Sequence, residues 1–219
     1  MNFWQEKFGY GDFSQAFDPK YGDPYPVPIV MATEETLKGY GTIVTDFDKE
    51  EVEIVPWPVQ GWRKLCEDTG TLGGTLSGLF KYKWQGDLCT SVNEAVVEGN
   101  YVTGKLPKNV SPKNRTHVLV KDIGYHPDGS QMFYPQNGEA FVAILALPGD
   151  DLTLESFQAF YCDGSFGIHI HPNVWHQPLY PVADEAVFLN KQGAVQGYVS
   201  ADTVKEFGKF LLLPLTKPQ

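Results

Sequence analysis

Two short stretches hold most of the side chains that could move protons or bind a metal. GYHPDGSQMFYPQNGEAF carries His126, Gln131 and Glu139, and GIHIHPNVWHQPLY carries His169, His171, Trp175 and His176. Four of the chain's five histidines fall between Tyr125 and Tyr180. Imidazole titrates near neutrality, so it can both take a proton and return it. His169 and His171 are one residue apart in a strand-like run, which places them on one face of a sheet, and His176 comes after a Pro-Asn turn. These three are candidate ligands for a divalent metal ion. The alternative reading is one general base with two hydrogen-bonded structural histidines. His126 sits in a turn before Pro127 and Gly129. Gln131 and Glu139 flank the turn Pro135 to Gly138, which predicts a hairpin, with Glu139 either supporting an imidazole or facing solvent. Trp175 reads as a pocket wall.

The elements that must position these residues are short. Between the two clusters lies the apolar run Phe141 to Leu147, a buried strand. Upstream, the runs at 42–45, 52–55, 75–83, 87–92, 93–101 and 116–123 read as strands, separated by turns such as Gly73-Gly74 and Gln85-Gly86-Asp87. Thr33 followed by Glu34 and Glu35 predicts a helix of about two turns, stopped by Gly39 and Gly41. Downstream, 186–189, 196–199 and 209–213 read as strands, with Ser200 capping a helix that runs to Phe207. Many short strands, frequent glycine turns and two or three short helices predict an all-β fold, a closed barrel or a double sheet.

Residues 1–32 are different. They mix Phe3, Trp4, Phe8, Tyr10, Phe13 and Phe17 with Gly, Asp and Pro, without period, and predict an extended arm. So many aromatics are costly in water, so the arm is expected to pack on residues 33–219 or on a second subunit.

Composition narrows the partners. The 219 residues carry a formal charge of −10 with no basic run, which argues against nucleic acid and against an anionic membrane surface. A small molecule is the expected ligand. Cys66, Cys89 and Cys162 are isolated, suggesting neither a disulfide framework nor a thiolate zinc site. The N-terminal stretch lacks the pattern of a secretory signal and no apolar run approaches a membrane span, so the expectation is a cytoplasmic protein.

Taken together, several of these stretches resemble the ureidoglycolate lyase family. The shared features are His-Pro before Gln-x-Phe-x-Pro at residues 126–135, an apolar strand ending before Asp150 and Asp151, Ala159-Phe160, and HxNVWHxPL at residues 171–179. LKGYGTI at residues 37–43 and SVNEA at residues 91–95 resemble further parts of the family. The resemblance implies a cupin-like β-barrel, a homodimer, and cleavage of ureidoglycolate to glyoxylate and urea in purine and allantoin degradation.

Cleaving such a carbinolamide needs a base, an acid and donors for the substrate, and the expected roles are His126 and His176 for acid and base work with Glu139 behind an imidazole, Gln131, His171 and Asn93 on the substrate, and Trp175 excluding water. Against the general cupin pattern, Gln131 stands where a metal-binding glutamate is usual, and Tyr125 and Pro127 stand where two histidines are usual. Only His176 is kept, so a divalent metal is a candidate cofactor with an incomplete ligand set. Glu94 stands where the resembling lyases tend to carry arginine after the central asparagine. That keeps open a lyase or isomerase acting on another small polar acid or sugar derivative, and a non-catalytic binding protein.

Overall fold

The computed structural model describes residues 3–58, 61–66, 74–195 and 197–219. Gly73 of the expected glycine turn, Gln196 and the centre of the insert around Arg63 lie outside the described residues. Among the described residues the α-helices are α1 (Phe3–Phe8) and α2 (Thr203–Phe207). The first strands are β1 (Tyr25–Pro26), β2 (Ile29–Met31), β3 (Gly41–Val44), β4 (Thr75–Gln85), β5 (Leu88–Asn93), β6 (Asn100–Lys105), β7 (His117–Val120) and β8 (Asp122–Tyr125). They continue with β9 (Gln131–Pro135), β10 (Phe141–Ala146), β11 (Gln158–Cys162), β12 (Gly167–Ile170) and β13 (Trp175–His176). The last are β14 (Tyr180–Pro181), β15 (Glu185–Gly193), β16 (Val199–Asp202) and β17 (Leu211–Pro214).

These form two sheets. Ten strands run in the order β1-β17-β7-β6-β5-β4-β15-β9-β12-β3; seven make the other, β16-β8-β13-β10-β11-β2 with β14 also on β10. The unbroken apolar sequence of β10 reflects its place, because it is buried on both faces. Phe141, Ala143 and Leu145 pack with Phe80, Phe133, Ile168, Ile170 and Phe188 from the larger sheet. Val142, Ile144 and Ala146 turn the other way, to a second core with Val118, Val120, Leu211 and Leu213. The larger sheet therefore wraps the smaller one. Its β4-β15-β9-β12 part faces β8-β13-β10-β11 as a barrel-like sandwich, the cupin-like all-β class the sequence suggests.

Several local expectations are corrected. β9 and β10 do not form a hairpin: β9 pairs with β12 and β15, whereas β10 pairs with β11, β13 and β14, so the turn after Pro135 crosses between sheets. Thr33 does cap, accepting from the amide of Thr36 at 3.1 Å, but residues 34–40 are turn rather than helix. Gly41 must enter β3 at once, where a Cβ would lie 2.2 Å from the carbonyl of His169. Residues 93–101 are not one strand, since β5 ends at Asn93 and the chain turns through Glu98 at φ 58° before β6. α2 is capped by Asp202, whose carboxylate accepts from the amides of Val204 and Lys205, and not by Ser200.

The N-terminal residues are anchored at several points. β1 pairs with β17 and β2 with β11, both parallel. Between α1 and β1, Gly11 donates its amide to Asp122 at 2.7 Å, and Lys121 donates to the carbonyl of Gly9 at 3.1 Å. Lys121 also pairs with Asp122 and Asp202, a largely buried triad. Tyr10 enters the interior, donates to the amide oxygen of Gln177, and packs edge-on to Tyr101 at 5.9 Å.

Candidate functional site

The smaller sheet puts His176 at the end of β13, opposite Leu145 on one side and Gly124 on the other, so its ring points into the space between the sheets. His126 comes directly after β8. The two rings stand 5.3 Å apart between centroids. Each Nδ1 meets a backbone carbonyl, Val174 at 2.8 Å for His176 and Gly197 at 2.9 Å for His126. A carbonyl only accepts, so both Nδ1 atoms carry the proton and both Nε2 atoms hold a lone pair while the rings are neutral. Burial is the first cause that lowers both pKa values; that of His176 falls to about 3, pushed further by His126. Two uncharged bases therefore stand side by side at neutral pH.

Carboxamides line the space below them. Gln131 and Gln192 are direct neighbours across β9 and β15, and Asn190 lies two residues from Gln192 on the same face. The Oε1 of Gln192 accepts from Asn93 at 2.9 Å, Asn190 at 2.8 Å and Gln131 at 3.2 Å. Gln131 also donates to Asn190 at 3.0 Å, which leaves its own Oε1 turned to Nε2 of His176 at 3.1 Å. The Nε2 of Gln192 is buried and without a partner. The set is neutral throughout, and it offers amide donors and acceptors together with two proton acceptors.

The sequence-predicted residues divide. His126, His176, Gln131 and Asn93 come together. His169 and His171 do not join them. His169 is opposite Met132 in the β9–β12 ladder while the next residue, Ile170, is opposite Gln131, so His169 points out of the barrel. It contacts the hydroxyl of Ser130 at 2.6 Å, and its ring is 6.3 Å from that of His171. His169, His171 and His176 therefore do not converge, and among the described residues no three His, Cys, Asp or Glu side chains are grouped to hold a metal. The donors among the described residues do not fit the candidate metal centre.

Glu139 is also apart from the imidazoles. It lies beyond the end of β9 opposite to Gln131, where its carboxylate accepts from the amide and side chain of Asn137 at 3.1 and 3.0 Å. Trp175 is fully buried, but strand alternation turns it to the other core. There it donates to the carbonyl of Gly149 at 2.8 Å and meets Tyr125 edge-on at 4.6 Å. It supports the sheet behind His176 and does not wall the site. Glu94 pairs with Lys81 at 2.6 Å, with both side chains roughly half exposed, outside the cluster.

Three participants are absent from the sequence-based set. Asn190 and Gln192 had a readable signal, two carboxamides with period two continuing the apolar run AVFL of β15, with Lys191 on the alternate face. Tyr198, 5.7 Å from His126, had none. Its ring fills the space over Gly124, where a Cβ would clash at 2.1 Å. Tyr198 also lines a cavity of about 90 Å³ with Tyr10, Asp122, Ser200 and Lys205.

Comparison with known proteins finds that the family model described as ureidoglycolate lyase matches residues 85–205, more than half of the chain. Proteins named ureidoglycolate lyase from Salmonella paratyphi B, Salmonella newport and Salmonella typhimurium are each 46% identical to it over 63 residues, 29% of this chain and 39% of theirs. The matched segment thus spans well under half the length of these curated relatives.

Proposed function

From the chain's membership of the ureidoglycolate lyase family, we propose that it is a carbon–nitrogen lyase that cleaves ureidoglycolate to glyoxylate and urea. The observation that carries this is the paired His126 and His176, both neutral, with Nδ1 fixed on carbonyls and Gln131 facing Nε2. Ureidoglycolate is a carbinolamide. One Nε2 takes the proton of its hydroxyl, the oxygen's electron pair closes the carbonyl of glyoxylate, and the C–N bond breaks. The same imidazolium then returns the proton to the departing urea nitrogen. The rings start uncharged, so a single imidazole serves as base first and acid second. Asn93, Asn190, Gln131 and Gln192 match a ureido group, which needs both donors and acceptors.

Residues 33–219 are proposed as the catalytic domain and residues 1–32 as its arm, in a cytoplasmic homodimer acting in purine and allantoin degradation. No described helix is long and apolar enough to cross a membrane.

A second reading, another small polar substrate on the same chemistry, is favoured by the cations. Both arginines are committed elsewhere, Arg63 to Glu206 at 2.7 Å and Arg115 to Asp184 at 2.7 Å, so neither offers its fork to a substrate carboxylate. The test is urea and glyoxylate release from ureidoglycolate by purified protein, with and without chelator, beside His176→Ala. Release that the substitution abolishes supports the lyase, and loss with chelator would place a metal in the reaction. Activity equal in the variant and the parent would sink the assignment, and no release by either would turn the search to the second reading.

A further inference from the structure

Both imidazoles hold Nδ1 on a carbonyl, but Gln131 stands at Nε2 of His176 while His126 has a carboxylate in its own loop. Asp128, two residues after His126, is only 8% exposed, yet its Oδ1 has no hydrogen-bond donor. The carboxylate is held against two glycines. A Cβ on Gly197 would lie 2.9 Å from Oδ1 and one on Gly193 3.1 Å from Oδ2. The loop is pinned by main-chain bonds from Val55 to the carbonyl of Asp128 at 2.8 Å and from Ser130 to that of Glu53 at 2.9 Å. Gly197, which touches the carboxylate, also supplies the carbonyl that accepts from Nδ1 of His126.

We propose that Asp128 is a positioning residue for the base. Its carboxylate, with Oδ1 unpartnered and packed on Gly197, whose carbonyl holds Nδ1 of His126, makes His126 and not His176 the ring that carries the substrate's proton. A buried carboxylate without a donor is costly while nothing positive is near. The cost falls when His126 becomes an imidazolium, so the interaction is strongest in the charge-separated state, which is what accelerates a reaction. The groups facing His126 are Asp128 from its own loop, His176 from β13, Tyr198 from the segment before β16, and the neutral Gln131 from β9. Of these only Asp128 attracts a positive charge by its own charge, while a protonated His176 would repel it.

The catalytic half of the proposal rests on the lyase reading; the electrostatic half does not. The experiment is therefore a titration of the histidine Cε1 protons by NMR in the full chain without substrate, comparing the parent with Asp128→Asn. Single His→Gln variants assign the signals. Asp128→Ser is a second charge-free variant, so misfolding of one leaves the comparison intact. We expect the His126 midpoint to fall by about one pH unit or more, a tenfold or larger loss of proton affinity. With ureidoglycolate, kcat falls about tenfold at neutral pH with KM within about twofold, and the acid limb of the pH profile moves the same way. Equal midpoints, or a His126 that fails to titrate in the parent before acid unfolding, overturn the proposal. Shifted midpoints without urea release from the parent uphold the pairing and count against the substrate.

Discussion

The amide oxygen of Gln131 lies 3.1 Å from Nε2 of His176, an acceptor set against an acceptor for as long as that ring is neutral. Its orientation is held from behind, because the amide nitrogen donates to both Asn190 and Gln192. The contact becomes a hydrogen bond only when a proton arrives. Gln131 by itself would favour a charged His176, which burial and the neighbouring His126 oppose, so His176 stays neutral while His126 takes the proton. Gln131→Glu keeps the shape and adds a charge. We expect the His176 midpoint to rise by about one to three units, with stability lower by about 1–3 kcal/mol from the donors lost to Asn190 and Gln192. NMR titration and urea unfolding read the two effects separately.

His126 carries the proton and His176 sets the surroundings of its ring, so their substitutions should not add. His126→Ala and His176→Ala are each expected to lower the rate of urea release by about 10²- to 10⁴-fold. The double variant should be scarcely worse than the more damaged single one. Single-turnover release of urea checks this. Multiplicative losses would mean that the rings work in separate steps.

The sequence already marks His126, Gln131 and His176 as candidates and indicates an all-β architecture around them, because polar residues in short strands and turns leave a visible pattern. It does not show which face of which sheet each residue meets. His169 and Gln131 lie in neighbouring strands, yet the one-residue offset of their register sends them to opposite sides. Trp175 and His176 are adjacent and separate for the same reason. Asp128 looks like an ordinary turn residue in HPDG, and its isolation depends on Gly193 and Gly197, more than sixty residues away in the chain.

Acid should weaken the fold through the same histidines. His176 has a folded pKa of about 3, with burial as the first cause and His126 as the second, below that of the unfolded chain near 6.5. The unfolded state binds more protons between those values, so stability is fully present above about pH 6.5 and falls as the pH drops toward 3. The slope is at most about 1.4 kcal/mol per pH unit for one such group. Asp122 runs the opposite way. Burial raises its carboxyl to about 6 against the pull of Lys121, so protonating it on the way down from pH 6 to 4 favours the fold. Urea unfolding between pH 7 and 4 should thus show a shallower fall in His176→Gln than in the parent. An unchanged slope would mean that His176 is not buried in its neutral form.

The arm gives the last test, since one glycine decides whether the stretch around Tyr10 can keep its place. Gly11 has φ +71°, and a Cβ there would meet the carbonyl oxygen of Val102 at 2.4 Å. Gly11→Ala must therefore break the bond from its amide to Asp122 and draw Tyr10 away from Gln177, the residue after His176. We expect a loss of about 1–3 kcal/mol from the strained backbone and the clash. Faster proteolysis should be confined to the first twenty or so residues. Tyr10→Phe keeps the ring in place and removes only the hydrogen bond, at a cost of about 1 kcal/mol. If the arm only covers the surface, both variants keep full turnover. If Tyr10 holds the segment bearing His176, kcat falls in both, more in Gly11→Ala, while KM changes little.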